Sequence, residues 1–201
     1  MKKLLLVLAL SAVLLAPLAA YSAGVFDLSI GLNASFRDGT LEAFKEFADS
    51  GFDDWRFGLE MRTKLLFFEL DSAGKIGMTE NNGLTFSGLM VAGLSEDLFD
   101  TARIGVCFGP VIDYVLEDGE SSLVIDGNHV QSESFMDALT KSRFNLRATL
   151  DFFLGPVIRL GIVWTVPTQY TIEEHDMNKL LPTGEDWTRT QIALAIHMSL
   201  V

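Results

Sequence analysis

From Gly24 onward, apolar and polar residues alternate with a period of two over unusually long stretches. Successive side chains of a β-strand point to opposite faces, so such a stretch is a strand with two unlike faces. In the first, Phe26, Leu28, Ile30, Leu32, Ala34 and Phe36 face one way; Asp27, Ser29, Gly31, Asn33, Ser35 and Arg37 face the other. Trp55, Phe57, Leu59 and Met61 alternate with Arg56, Gly58, Glu60, Arg62 and Lys64. Ile104, Val106, Phe108, Ile112 and Tyr114 alternate with Arg103, Gly105, Cys107, Gly109 and Asp113. Phe144 to Phe152 alternate with Arg143, Asn145, Arg147, Thr149 and Asp151, and further repeats run through Ile158–Trp164 and Ile192–Leu200. Strands of soluble proteins average about five or six residues, whereas an oblique membrane crossing needs roughly 9–11. The length favours a barrel wall over a soluble sandwich.

Loop lengths set the number of crossings. Three connections are long and polar, at about 38–54, 117–141 and 168–186; the others are short, including Asp71-Ser72-Ala73-Gly74 and Gly155-Pro156. Single-chain outer-membrane barrels have an even number of strands, with long loops on one side and tight turns on the other. Placing every long loop on one side requires a short extra strand at Lys75–Glu80, closed by the turn signal Asn81-Asn82-Gly83. The expectation is a closed antiparallel up-and-down transmembrane β-barrel of eight strands: Gly24–Arg37, Trp55–Leu70, Lys75–Glu80, Leu84–Leu94, Thr101–Leu116, Ser142–Leu154, Val157–Pro167 and Trp187–Val201. Closure is required because lipid cannot satisfy an open sheet edge.

The first 22 residues read differently. Met1-Lys2-Lys3, an apolar run to Leu15 and small residues around Ala20 and Ser22 have the order of a cleaved signal peptide, leaving 23–201 as the barrel. The run is too short to span a bilayer as a helix. A net charge of −12 argues against nucleic acid as a partner. A single cysteine, Cys107, leaves no disulfide framework and no cysteine-based zinc site.

The polar face supplies the candidate site. Glu60, Arg62, Lys64, Arg103, Asp113, Arg147, Asp151 and Arg159 all fall on it, and in a narrow lumen they form a candidate charge network. Arg37, Arg56, Arg143 and Arg189 share the parity, as does Asp27, so base exceeds acid there. An eight-stranded barrel is just wide enough for side chains to fill, and buried charges must pair. The alternative is an arginine-lined passage that attracts anions. Inward glycines, such as Gly31, Gly58, Gly105, Gly109 and Gly161, make room for arginines opposite them. Trp55, Phe57, Tyr114, Trp164 and Trp187 recur on the apolar face near one end, as a candidate aromatic girdle. The long loops invert the charge balance and make an acidic rim; Asp49, Asp53 and Asp54, or Glu173, Glu174, His175 and Asp176, are dense enough to hold Ca²⁺ weakly, though without the spacing of an EF-hand. Leu41–Ala48 has the spacing of a short amphipathic helix. His197 and Cys107 lie on the inward parity without a catalytic partner, and no catalytic, cofactor or metal site is expected.

These features together resemble the small eight-stranded outer-membrane proteins, such as the OmpX and OmpW groups and the membrane part of OmpA. The resemblance covers Gly24–Val201 and lies in pattern; such proteins commonly end in Phe, whereas this sequence ends in Val201. It implies a bacterial outer-membrane location with both termini periplasmic and long loops outside. It also implies contact with outer-membrane lipid and insertion by the barrel-assembly machinery. The function expected is non-enzymatic: a filled, monomeric barrel anchoring acidic loops, for envelope integrity or for binding a cationic or host surface ligand. An OmpW-like channel for small anionic or apolar solutes is the alternative, motivated also by inward Leu66, Phe68, Leu89 and Val91. A soluble periplasmic barrel is the second alternative.

Overall fold

The computed structural model describes residues 26–36, 55–79, 83–98, 101–117, 120–125, 128–131 and 134–200. The leader 1–22, the first long loop with its Leu41–Ala48 segment, and Arg37 lie outside them. The strands are β1 Phe26–Phe36, β2 Trp55–Leu65, β3 Phe68–Met78, β4 Leu84–Leu98, β5 Ala102–Glu117, β6 Glu120–Ile125, β7 Asn128–Val130, β8 Arg143–Leu154, β9 Ile158–Thr171 and β10 Gln191–Ser199. A short helix, α1, spans Phe135–Lys141.

Every pairing is antiparallel. β1 pairs with β10 and with β2, β3 joins β2 to β4, and β8 and β9 complete the circuit from β5 to β10. The β4–β5 ladder, Leu84↔Leu116 to Leu98↔Ala102, closes the ring of eight. β6 and β7 are not part of the wall; they prolong β5 as a hairpin beyond the barrel mouth. The turns at Leu66-Phe67 and Gly155–Val157 share one end, and the long connections share the other; below these are the turn end and the loop end.

Polarity is inverted relative to a water-soluble protein. Arg62, Arg147, Glu60, Asp71, Asp151 and His197 are among the most completely buried large side chains. Leu32, Leu59, Met90, Val106, Ile162, Leu194 and Ile196 stand exposed on the outer wall. This is the solution that a hydrocarbon solvent requires, with the strands paired around the ring and the apolar face outward. No helix among the described residues is long and apolar enough to cross a membrane; the closed ring with its apolar outer wall crosses with strands.

Several boundaries depart from the sequence expectation. The β2–β3 turn lies at Leu66-Phe67, where Leu65 pairs Phe68, and not at Asp71–Gly74. Leu66 takes a positive φ of 57° there, a role that turn rules give to glycine or asparagine. The bend therefore carries no turn signal, while Asp71-Ser72-Ala73-Gly74, which has one, lies mid-strand. β3 is consequently a full 11-residue crossing. Leu66 and Phe68, expected inward, are exposed on the outside; Leu89 and Val91 are buried inside, packed with Ala73 and Cys107. β10 begins at Gln191 because Asp186–Arg189, including Trp187, forms a 3-10 turn in the loop. β9 runs on past Pro167 to Thr171, and a bulge between Arg143 and Asn145 accommodates it.

Candidate functional site

The inward faces converge on a layered ionic network. Around the ring, β2 stands opposite β8 and β1 opposite β5. Arg62 on β2 reaches Asp151 on β8 at 2.6 Å. Arg147 on β8 donates to Glu60 on β2 and, at 3.1 Å, to Asp71 on β3. Glu60 also accepts from Arg62 on its own strand and from Asn33 Nδ2 at 2.6 Å. These residues are at most 2 % exposed, so the pairs are formed without water as a competitor.

A second layer lies at the turn end. Arg103 on β5 donates to Asp27 on β1 at 2.9 Å, again across the ring, and Arg159 shares the same carboxylate. Asp97 joins them, bound by Lys64 at 2.7 Å and by Arg103. The Phe153 ring packs under this group, 5.6 Å from the Arg103 guanidinium and 5.2 Å from that of Arg159, within cation–π range. Towards the loop end, Arg56 donates to Asp113 at 3.0 Å and to Ser87 at 2.7 Å.

The eight residues named from alternation thus all sit inside, distributed over three layers. The structure adds Glu69, Asp71, Lys75 and Asp97, which the sequence reading left out. In the sequence Asp71 falls in an apparent turn and Asp97 beyond the expected end of β4; the alternation Glu69-Leu70-Asp71, continued through Ala73 and Lys75, is the signal that marks β3 as a full strand. Their inclusion removes the expected excess of base. Seven basic side chains (Arg56, Arg62, Lys64, Lys75, Arg103, Arg147, Arg159) face seven acidic ones (Asp27, Glu60, Glu69, Asp71, Asp97, Asp113, Asp151). Arg143 instead approaches Asp186 at 3.9 Å at the loop end, and Arg189 lies in the 3-10 turn. Gly31 gives His197 its place, since a Cβ there would lie 2.7 Å from His197 Nδ1. The imidazole stands 3.6 Å from Glu60.

Aromatic residues ring the outer wall at the loop end. Trp55 stacks on Phe57 with centroids 6.2 Å apart and meets Phe36 edge-on at 5.5 Å. Trp164 meets Trp187 at 5.5 Å, and Phe144 lies between Phe108 and Tyr170. Tyr114 is half-buried against the cluster that Ile112 forms with Leu123 of β6 and Ala138 of α1, so loop elements cover part of the wall there. Both of these cap elements come from the second long connection.

The α1 N-terminus is capped by Ser134, whose side chain accepts from Asp137 N–H. In the third long connection Asp176 caps a 3-10 turn, Lys179 pairs with Glu174, and Asp186 accepts from Thr183 at 2.7 Å. Asp186 is thereby buried and structural, whereas Glu174 stays exposed.

No family model matches this chain, and no curated protein matches it significantly. Among solved structures it aligns with the outer-membrane protein Ail of Yersinia pestis in a nanodisc, at 11 % identity and a TM-score of 0.48, covering 87 % of this chain and 99 % of Ail. Neisserial surface protein A aligns at 7 % identity and 0.45, covering 87 % and 95 %. A de novo designed transmembrane β-barrel aligns at 8 % and 0.42, with the same coverage. The barrel class rests on the closed pairing and the inverted polarity rather than on these likenesses.

Proposed function

We propose that this protein is a non-enzymatic bacterial outer-membrane barrel whose interior is a plug and whose working surface is its acidic loop end. The observation that carries this reading is that ion pairs cross the full ring in two layers: Arg62–Asp151 with Arg147–Glu60, and Arg103–Asp27. A solute would have to break pairs buried away from water, which costs about 3–5 kcal/mol for each partner removed. The balance of seven charges against seven also withdraws the main support for an anion-selective pore. In this reading the turn end and both termini are periplasmic, and the loops face outward, as the short-turn rule for such barrels requires.

The loops then offer a negative surface. Glu173, Glu174, Asp176 and Glu185 stand in the third loop against Lys179, and the first loop adds Asp49, Asp53 and Asp54. Such a surface attracts a basic ligand from outside and repels anions at a range set by the Debye length, roughly 8–10 Å at physiological salt. The test is expression at the cell surface of the full chain and of a form with 38–54 and 172–185 replaced by short neutral turns and Glu117, Asp118, Glu120, Asp126 and Glu133 changed to Gln or Asn. Binding of an immobilised basic peptide should be salt-sensitive and lost with the loops, while the barrel still folds. Retained binding by the loop-trimmed barrel would overturn the surface role.

A further inference from the structure

Against the expectation drawn from a single cysteine, we propose that the lumen holds a divalent metal ion of the zinc class at Glu69, Asp71 and Cys107. One ligand atom from each of these three residues lies within 4.8 Å of the other two, and all three are buried. A tetrahedral site with metal–oxygen and metal–sulfur bonds of about 2.0–2.3 Å has ligand–ligand edges of roughly 3.3–3.8 Å. The cluster therefore needs to contract by about an ångström, which a Glu side chain and a Cys rotamer can supply.

Proximity of acids is not itself a site; the unmet bonding of this chamber is what points to a ligand. Glu69 is 2 % exposed, yet neither of its carboxylate oxygens has a hydrogen-bond partner among the described residues. Its cross-strand neighbour Lys64 is committed to Asp97 instead. Asp71 gives one oxygen to Arg147 and leaves Oδ1 unmatched. The hydroxyls of Ser95 and Thr149, also buried, have no partner either. A carboxylate buried without a hydrogen-bond partner either takes a proton or is met by a cation, and a metal ion supplies the second outcome.

Glycines let the backbone close around the cluster. Glu69, Gly93 and Cys107 form one row across β3, β4 and β5. At Gly93 the strands approach too closely for a side chain: a Cβ there would lie 2.5 Å from Cys107 Cα and press on the Val106 carbonyl. On the next row, a Cβ on Gly105 would lie 2.5 Å from Thr149 Oγ1 and 3.3 Å from Glu69 Oε1. The two glycines let Glu69 face Cys107 across an intervening strand.

The ligand set defines the ion. Two carboxylates with one sulfur suit a borderline ion such as Zn²⁺ or its spectroscopic substitute Co²⁺, and suit Ca²⁺ or Mg²⁺ poorly. On binding, the Cys107 thiol releases its proton to solvent as the sulfur–metal bond forms, with no change of oxidation state. The fourth position would be left to a water. The ion would tie β3 to β5 inside the barrel, a structural role independent of the loop surface.

The test folds the denatured mature chain into detergent with one equivalent of Co²⁺, followed by gel filtration and metal analysis. Heat-modifiable gel mobility confirms the folded barrel in every sample. The expected result is one Co²⁺ per folded chain with a thiolate-to-cobalt charge-transfer band. Cys107→Ser should abolish the band, and Glu69→Gln should weaken retention at least tenfold. Should Glu69→Gln not fold, the near-isosteric Cys107→Ser variant and the wild-type stoichiometry decide alone. Folded protein without cobalt, or cobalt retained equally by Cys107→Ser without change in its spectrum, would overturn the proposal.

Discussion

Replacing Arg147 by methionine should destabilise the barrel by about 3–5 kcal/mol, the magnitude for removing one partner of a buried ionic cluster. Methionine keeps much of the stem volume, so the perturbation is chiefly electrostatic. Arg147 is fully buried and serves both Glu60 and Asp71. Each carboxylate loses a charge-assisted hydrogen bond, for which mutational series give about 1.5–3 kcal/mol. Glu60 keeps Arg62 and Asn33, but in the metal-free barrel Asp71 keeps only Arg62, at 3.9 Å. The larger share of the loss therefore falls on Asp71. Adding Asp71→Asn to Arg147→Met should recover about 1–2 kcal/mol, a coupling within the usual range for contacting residues. The assay is reversible urea unfolding in lipid vesicles, followed by the fluorescence of Trp55, Trp164 and Trp187 and by gel mobility. A loss below about 1 kcal/mol, the value of an exposed ion pair, would refute the reasoning, since it would mean that water already shares the cluster.

Other outcomes follow from the same geometry. Leu32→Arg places a charge halfway along β1 on the outer wall, where Leu32 is 66 % exposed; it should cost about 2–4 kcal/mol in a bilayer, measured by the same unfolding assay. In a soluble barrel that exposed change would be nearly neutral. Gly93→Ala should impair folding, because its Cβ meets the Val106 carbonyl and Cys107 Cα, whereas Gly74→Ala, with nothing within 4 Å, should stay within about 0.5 kcal/mol of the parent; heat-modifiable mobility and urea midpoints separate the two. Phe153→Ala should loosen the turn-end layer, since the ring backs both Arg103 and Arg159; slow proton exchange of their guanidinium groups in the parent, lost in the variant, would register it.

The wall was legible in the sequence because a membrane barrel writes its two solvents into every strand. Ile30, Leu32 and Ala34 against Ser29, Gly31 and Asn33 fix both the strand and its facing, and the loop lengths fix the even count. The β2–β3 hairpin was not legible, since Leu66-Phe67 turns without glycine, proline or asparagine, in apolar surroundings that tolerate it. Misplacing that turn hid Asp71 and Glu69 and reversed Leu66 and Phe68. Alternation also says which side chains point inward but not which of them meet. Arg62 and Asp151 are 89 residues apart, and only the ring order and the stagger of the strands bring them together. The β6–β7 hairpin and α1 look like loop in the sequence because their apolar residues, such as Leu123 and Ala138, are few and pack outside the wall on Ile112.

The plugged lumen is tested most directly by single-channel recording of the folded, full-length mature barrel in a planar bilayer. The ion pairs across the ring predict a silent bilayer at neutral pH, with insertion verified by protease protection of the strands. Discrete current steps from the unaltered protein, changing in size with Arg62→Ala or Arg147→Ala, would contradict it and establish a conducting lumen.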